Sequence, residues 1–284
     1  MVELDARPFG ELSARLPDST GERPMNQNEK AVQFASLHKK GAPLILYNVW
    51  DAGSAKAVAE AGSHAIATSS RALAGSQGYE DGEQVPFDLF LRIISRIAAA
   101  IDRPVSVDFE GGFAGSDNSA LAANFGQVLD TGVVGVNFED QVVKSDGLYT
   151  IDEQAARIRA IRAVADKRGV PAFINARTDL FLGPTGEGGA AVKEAIDRAK
   201  AYATAGASGF FVPGLKDPAL ISQVVQQSPI PVNVLVMDGT PSLHELTVIE
   251  VARISYGAMP YSKVAEFLTG QASNAIYGSG LVGA

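Results

Sequence analysis

The sequence predicts an α/β fold, a single (β/α)₈ barrel of the TIM type, and three observations carry that prediction. Short apolar, β-branched runs alternate eight times with longer segments of helical period, the rhythm of βα units around a parallel sheet. Proline stands at or just before four of those runs (Pro43, Pro104, Pro171, Pro231), where a strand loses no ladder donor. No glycine fingerprint opens the first helix, as an open nucleotide-binding sheet would require. The first run leads instead into Trp50-Asp51-Ala52-Gly53-Ser54.

In chain order, strands are expected at 44–48, 65–68, 105–108, 134–139, 172–177, 209–212, 232–235 and 251–255. A helix over 29–39 should precede them, with others at 54–61, 87–101, 119–131, 151–168, 189–205, 219–226 and 242–249. Asp152 ahead of Glu153 and Ser242 three residues before Glu245 are candidate caps, while Gly62, Gly132, Gly169 and Gly206 mark helix ends. Residues 1–27, broken by proline, glycine and charge, read as an extension outside the barrel domain 28–284.

The 284 residues suit one barrel of roughly 250 residues with additions. A net charge of −8 argues against nucleic acid or an anionic membrane as the main partner. It is compatible with a small anionic substrate, because a bound cation reverses the field locally. With no cysteine there is no disulfide, thiolate metal site or catalytic thiol. No signal segment or spanning apolar run is evident, so the expected location is the cytoplasm.

Barrel chemistry collects where strands end at their C-termini, so the residues just after each run carry the functional reading. They are strongly acidic and polar: Asn48, Trp50 and Asp51; Thr68, Ser69, Ser70 and Arg71, with Asp81 farther on; Asp108 and Glu110; Asn137, Glu139 and Asp140, with Lys144 beyond; Asn175, Arg177 and Asp179; Asn233; Ser255 and Tyr256. So many carboxylates at one rim repel one another unless a cation sits among them. A hard divalent ion with oxygen ligands, such as Mg²⁺, is the economical answer. The i, i+2 spacing of Asp108 and Glu110 aims both toward the barrel mouth. Arg177 is the natural clamp for a substrate carboxylate, with an internal ion pair to Asp179 or Glu139 as its structural alternative. Ser69 and Ser70 suit a second acidic group, and Trp50, Asp51 and Asn233 complete the expected substrate contacts. His38 and His64 read as structural and His244 as a residue of a helix's first turn. Proton transfer is therefore left to a carboxylate, Lys144, Tyr256, a hydroxyl or metal-bound water.

Several of these segments occur together in order: 48–55 (NVWDAGSA), 78–82 (GYEDG), 107–112 (VDFEGG), 136–140 (VNFED), 175–179 (NARTD), 212–214 (VPG) and 251–255 (VARIS). The set resembles the isocitrate lyase / phosphoenolpyruvate mutase superfamily across nearly all of 27–270. The resemblance implies a Mg²⁺- or Mn²⁺-dependent barrel that makes or breaks C–C or P–C bonds beside a carboxylate, through an oxyanion or enolate held on the metal. It implies Asp108 as direct metal ligand, with Glu110, Glu139 and Asp81 holding the metal's waters. Ser69 and Arg177 would then grip the α-keto acid. It also implies a homotetramer that exchanges a C-terminal helix, for which 259–270 is the candidate.

The departures choose among reactions. Lyase branches carry a cysteine in a gating loop after the fourth strand; here that loop, 141–147 (QVVKSDG), has neither Cys nor His. Mutase and phosphonopyruvate hydrolase branches place Lys-X-Asn there; Lys144 matches, but Asp146 replaces the asparagine and would repel a phosphoryl group. What remains is a lyase or decarboxylase acting on a small α-keto or 2-hydroxy dicarboxylate, with Arg177, Glu139 and Lys144 as its catalytic residues. The alternatives are a phosphonomutase-like P–C enzyme and a silent barrel that only binds α-keto acids.

Overall fold

The computed structural model describes residues 23–143, 145, 147–183 and 188–277. Eight parallel strands lie in the order β1-β8-β7-β6-β5-β4-β3-β2. They are β1 (Leu44–Leu46), β2 (Ile66–Ala67), β3 (Val105–Asp108), β4 (Gly135–Glu139), β5 (Phe173–Arg177), β6 (Gly209–Phe211), β7 (Val232–Leu235) and β8 (Arg253–Ser255). A parallel bridge between Val49 and Thr68 links the two ends of this order, so the sheet curls into a nearly closed barrel.

Asn48 strengthens that seam. Its Nδ2 donates to Thr68 O at 2.8 Å, and its Oδ1 accepts from the amides of Tyr256 and Gly257, each at 2.9 Å. One buried amide thus ties the end of β1 to both neighbouring strands, satisfying backbone groups the short ladder leaves over.

Helices between the strands form the outer ring: α2 (Ala52–Glu60), α3 (Ser70–Ser76), α4 (Phe87–Ala100), α5 (Asn118–Asp130), α6 (Ile151–Arg168), α7 (Gly189–Thr204), α8 (Pro218–Gln227) and α9 (Leu243–Val248). α4 is the most clearly striped, with Phe90, Ile94 and Ile97 turned inward at helical spacing. The N-cap of α6 is Thr150 rather than Asp152, because Thr150 and Glu153 form a complete capping box. Ser242 and Glu245 cap α9 as expected. α3 forms where the sequence suggests only a small-residue loop, with Ser69 as its cap.

The lower end of the barrel is plugged by α1 (Gln27–Ser36), whose Phe34 packs with Leu44, Leu46, Ala67, Val134 and Phe173. The upper end stays open beneath the βα loops. The last described element is α10 (Met259–Tyr277), longer than the 259–270 expected, along which Val264, Phe267, Leu268 and Ile276 are exposed. No helix among the described residues is long and apolar enough to cross a membrane.

Candidate active site

The site is organised around the end of β3. Asp108 is buried; its amide donates to Thr68 Oγ1 at 2.9 Å, and its Oδ2 accepts from the amide of Ser70 at 3.1 Å. Its Oδ1, equally buried, has no hydrogen-bond partner among the described residues. Asp108 faces a cavity of about 280 Å³ at the C-terminal rim, shared with Ser69, Ser70, Asp81 and Arg177. Five of the sequence-predicted site residues therefore converge on one space.

Glu110 and Glu139 are buried just outside the lining. The i, i+2 expectation for Glu110 does not hold geometrically, because β3 ends at Asp108 and Glu110 adopts a positive φ of 50°. Its Oε2 instead accepts from the amides of Gly82 and Glu83 at 2.9 and 2.7 Å, which docks the turn that brings Asp81 to the cavity. The loop below is pinned by Arg157, which donates to the carbonyls of Gly111 and Gly115. A side chain at Gly112 would collide with Leu121, and its φ of 91° suits glycine.

Arg177 is already paired. Its Nε and Nη2 donate to the two oxygens of Asp179 at 2.5 and 2.8 Å, and its Nη1 lies 3.0 Å from Glu139 Oε2. Both the clamp and the ion-pair readings of the sequence thus have geometry behind them, but the side of the guanidinium formed by Nε and Nη2 is spent on Asp179. Behind this pair, Asp140 Oδ1 accepts from the Asp179 amide at 3.1 Å. Asp140 Oδ2 accepts from Arg198 at 2.9 Å and from the Tyr202 hydroxyl at 2.8 Å, all buried.

Three expected substrate contacts stand elsewhere. Asp51 is the N-cap of α2, accepting from the Ser54 amide at 2.7 Å, so helix capping claims its carboxylate. Trp50 packs edge-on against Tyr261, with ring centroids 5.2 Å apart. Asn233 is buried on β7 away from the cavity lining, its Oδ1 accepting from Ser255 Oγ at 3.2 Å. Lys144 and Asp146 lie outside the described residues. Asn48, Asn137 and Ser255 do line the cavity. So does an apolar wall of Leu182, Phe211, Pro213, Leu235 and Met237 that strand-end polarity gave no means to find.

The electrostatics favour a cation. Burial, and then the charge of Asp108, push the Glu110 pKa up to about 8. The same two causes raise Asp81, whose carboxyl faces inward although the residue as a whole is exposed. Burial raises Glu139 despite the opposing charge of Arg177. Carboxyls that resist ionising together are what a bound divalent ion would stabilise. Among the described residues no three acidic or imidazole groups converge closely enough to enclose a metal by themselves. A divalent ion there would have to complete its shell with water or substrate oxygens. The orphaned Asp108 Oδ1 is the acceptor that such an ion could engage.

A model of the phosphoenolpyruvate phosphomutase family matches residues 34–276. The chain belongs to that family. Its membership places it in the isocitrate lyase / phosphoenolpyruvate mutase superfamily, whose members are metal-dependent C–C lyases and phosphomutases. A solved candidate phosphonomutase from Burkholderia cenocepacia is 43% identical, with a TM-score of 0.85, the match covering 88% of this chain and all of that one (100%). An uncharacterised protein from Mycobacterium tuberculosis is 34% identical over 81% of this chain and 84% of its own length. The 2-methylisocitrate lyase of Escherichia coli is 31% identical over 82% of this chain and 79% of its own.

Proposed function

We propose that the protein is a divalent-metal-dependent lyase or decarboxylase that cleaves a C–C bond in a small α-keto or 2-hydroxy dicarboxylate. The observation that carries this reading is the buried, unpartnered Asp108 Oδ1 beside a cavity also lined by Asp81, Ser69, Ser70 and Arg177. A buried carboxylate oxygen without a donor is costly, and a cation relieves that cost. Asp108 would hold Mg²⁺ or Mn²⁺ directly, with Asp81, Glu110 and Glu139 holding its waters. When bound, the ion supplies positive charge where negative charge develops on the substrate oxygen next to the breaking bond.

The chain's own groups do the rest. Ser69 and Ser70 offer donors to the carboxylate next to the reacting carbon. Arg177, fixed by Glu139 and Asp179, turns its remaining N–H groups and its charge toward the same substrate end. The apolar wall keeps water from the reacting carbon, which strengthens those polar contacts. Lys144, between Gln141 and Leu148 in sequence, is the proposed proton carrier. The absence of any cysteine favours a reaction that needs no acid/base thiol, and decarboxylation is one.

The kinship with a candidate phosphonomutase favours a second reading, P–C cleavage of phosphonopyruvate. A coupled assay with Mg²⁺ over oxaloacetate, substituted malates, methylisocitrate and phosphonopyruvate, with and without EDTA, decides between them. Chelator-sensitive release of a keto acid from a C–C substrate is the expected result; phosphate from phosphonopyruvate alone would replace it with the second reading. We further propose a homotetramer that exchanges α10, whose exposed Val264, Phe267 and Leu268 leave an apolar face to cover. Light scattering at the monomer mass would contradict it.

A further inference from the structure

Resting on the reading of the cavity given above, we propose that Arg71 is the specificity-determining residue for the far end of the substrate, binding the carboxylate distal to the reacting carbon. Arg71 follows Ser69 and Ser70 on α3 and lines the cavity of Asp108 and Arg177. It also lines an adjoining recess of about 600 Å³, so its side chain stands where the two spaces meet.

Charge balance singles it out. The cavity lining contains two cations, Arg177 and Arg71. The charge of Arg177 is offset by Glu139 and Asp179, both within ion-pair distance. Arg71 is exposed and makes no ion pair or side-chain hydrogen bond with any described residue. It is the cation still available to a second carboxylate.

No other charged group of the lining is free for that carboxylate. The wall opposite α3 is Leu182, Phe211, Pro213, Leu235 and Met237, against which an anion would lose its hydration without gaining a donor. Beyond Arg71 the recess carries Glu80 and Asp81, which repel a longer acidic tail. The distal carboxylate therefore meets its counter-charge at Arg71, which fits a short diacid, with any alkyl substituent turned to the apolar wall.

Malate and lactate differ only by the distal carboxylate, so their affinities in the presence of Mg²⁺, measured by calorimetry on the full chain, isolate this contact. Arg71→Met should weaken malate by about tenfold while leaving lactate within about twofold, and Arg71→Lys should recover most of the loss, since an end-on carboxylate accepts a point charge. Equal weakening of both acids, or no change in malate, would overturn the role of Arg71 while leaving the cavity's function standing. Failure of the unsubstituted protein to bind either acid would overturn the reading of the cavity itself, and the proposal with it.

Discussion

The two ends of the barrel are built from the same eight strands and have opposite chemistry. At the lower end Phe34 and its neighbours fill the interior, and His38 stacks on Phe173 with ring centroids 3.9 Å apart. At the upper end Asp108, Glu110, Glu139, Asp140 and Asp179 are all buried within reach of Arg177 or Arg198 or of one another's charge. Cavity size does not mark the difference: a groove of about 530 Å³ beside Leu37, Tyr47 and His64 exceeds the 280 Å³ of the candidate site. The groove is mostly apolar, whereas the smaller cavity gathers acids that are expensive to bury. The lower end buries one cation, Arg253, against Phe34 and His38, whereas the upper end crowds buried carboxylates together, and that costly gathering of like charge points to use.

The sharpest break between the ends should come from Asp108→Ala. It should reduce metal-dependent turnover on the order of a thousandfold while circular dichroism shows an intact barrel. Unaltered turnover would remove Asp108 from the centre of the account. Arg198→Met leaves Asp140 buried without its cation, and breaking such a pair should cost about 3–5 kcal/mol in urea denaturation. A change below 1 kcal/mol, on the order of an exposed pair, would show that water reaches Asp140. Arg177→Lys should lower kcat/KM by about ten- to hundredfold, because a point charge cannot serve Asp179, Glu139 and substrate together. Full activity would make Arg177 a structural residue only.

At the lower end one group, His38, ties stability to pH. Burial and the charge of Arg253 push the His38 pKa down to about 3, so the folded protein holds this ring neutral. The unfolded chain takes up a proton below pH 6.5, and the folded one does not until near pH 3. The contribution of His38 is therefore full above pH 6.5 and falls as pH drops through that window. Between pH 7 and pH 5 His38 should cost about 2 kcal/mol. His38→Phe, measured by denaturation at both values, should remove that loss and leave kcat unchanged. The same loss in the variant would assign the pH sensitivity to other groups.

The architecture was written in the sequence wherever a strong pattern met a strong boundary. β3, β7 and α6 have the expected limits, since β-branched runs after proline, and a helix ending at Gly169 with φ of 66°, leave little choice. α3 escaped because Ser70–Ser76 is short and rich in small residues, with no periodic apolar face to detect. The rim pattern located Asp108, Asp81, Ser69, Ser70 and Arg177, because strand ends fix which residues reach the mouth. It could not tell depth or local competition. Asp51 looks like a site acid and serves as a cap, Asn233 sits below the cavity beside Ser255, and Glu110 turns to Gly82 and Glu83. Asp140 reads as one more rim carboxylate; only contacts 58 and 62 residues away in sequence, to Arg198 and Tyr202, reveal it as the support behind Arg177.

The upper rim should hold a divalent ion at Asp108. Titrating the full chain with Mn²⁺ and following the free-ion signal by electron paramagnetic resonance tests it without assuming any substrate. The account predicts one tight site per chain that is lost in Asp108→Ala and retained in His38→Phe. Equal Mn²⁺ binding by Asp108→Ala and the unsubstituted protein would contradict it.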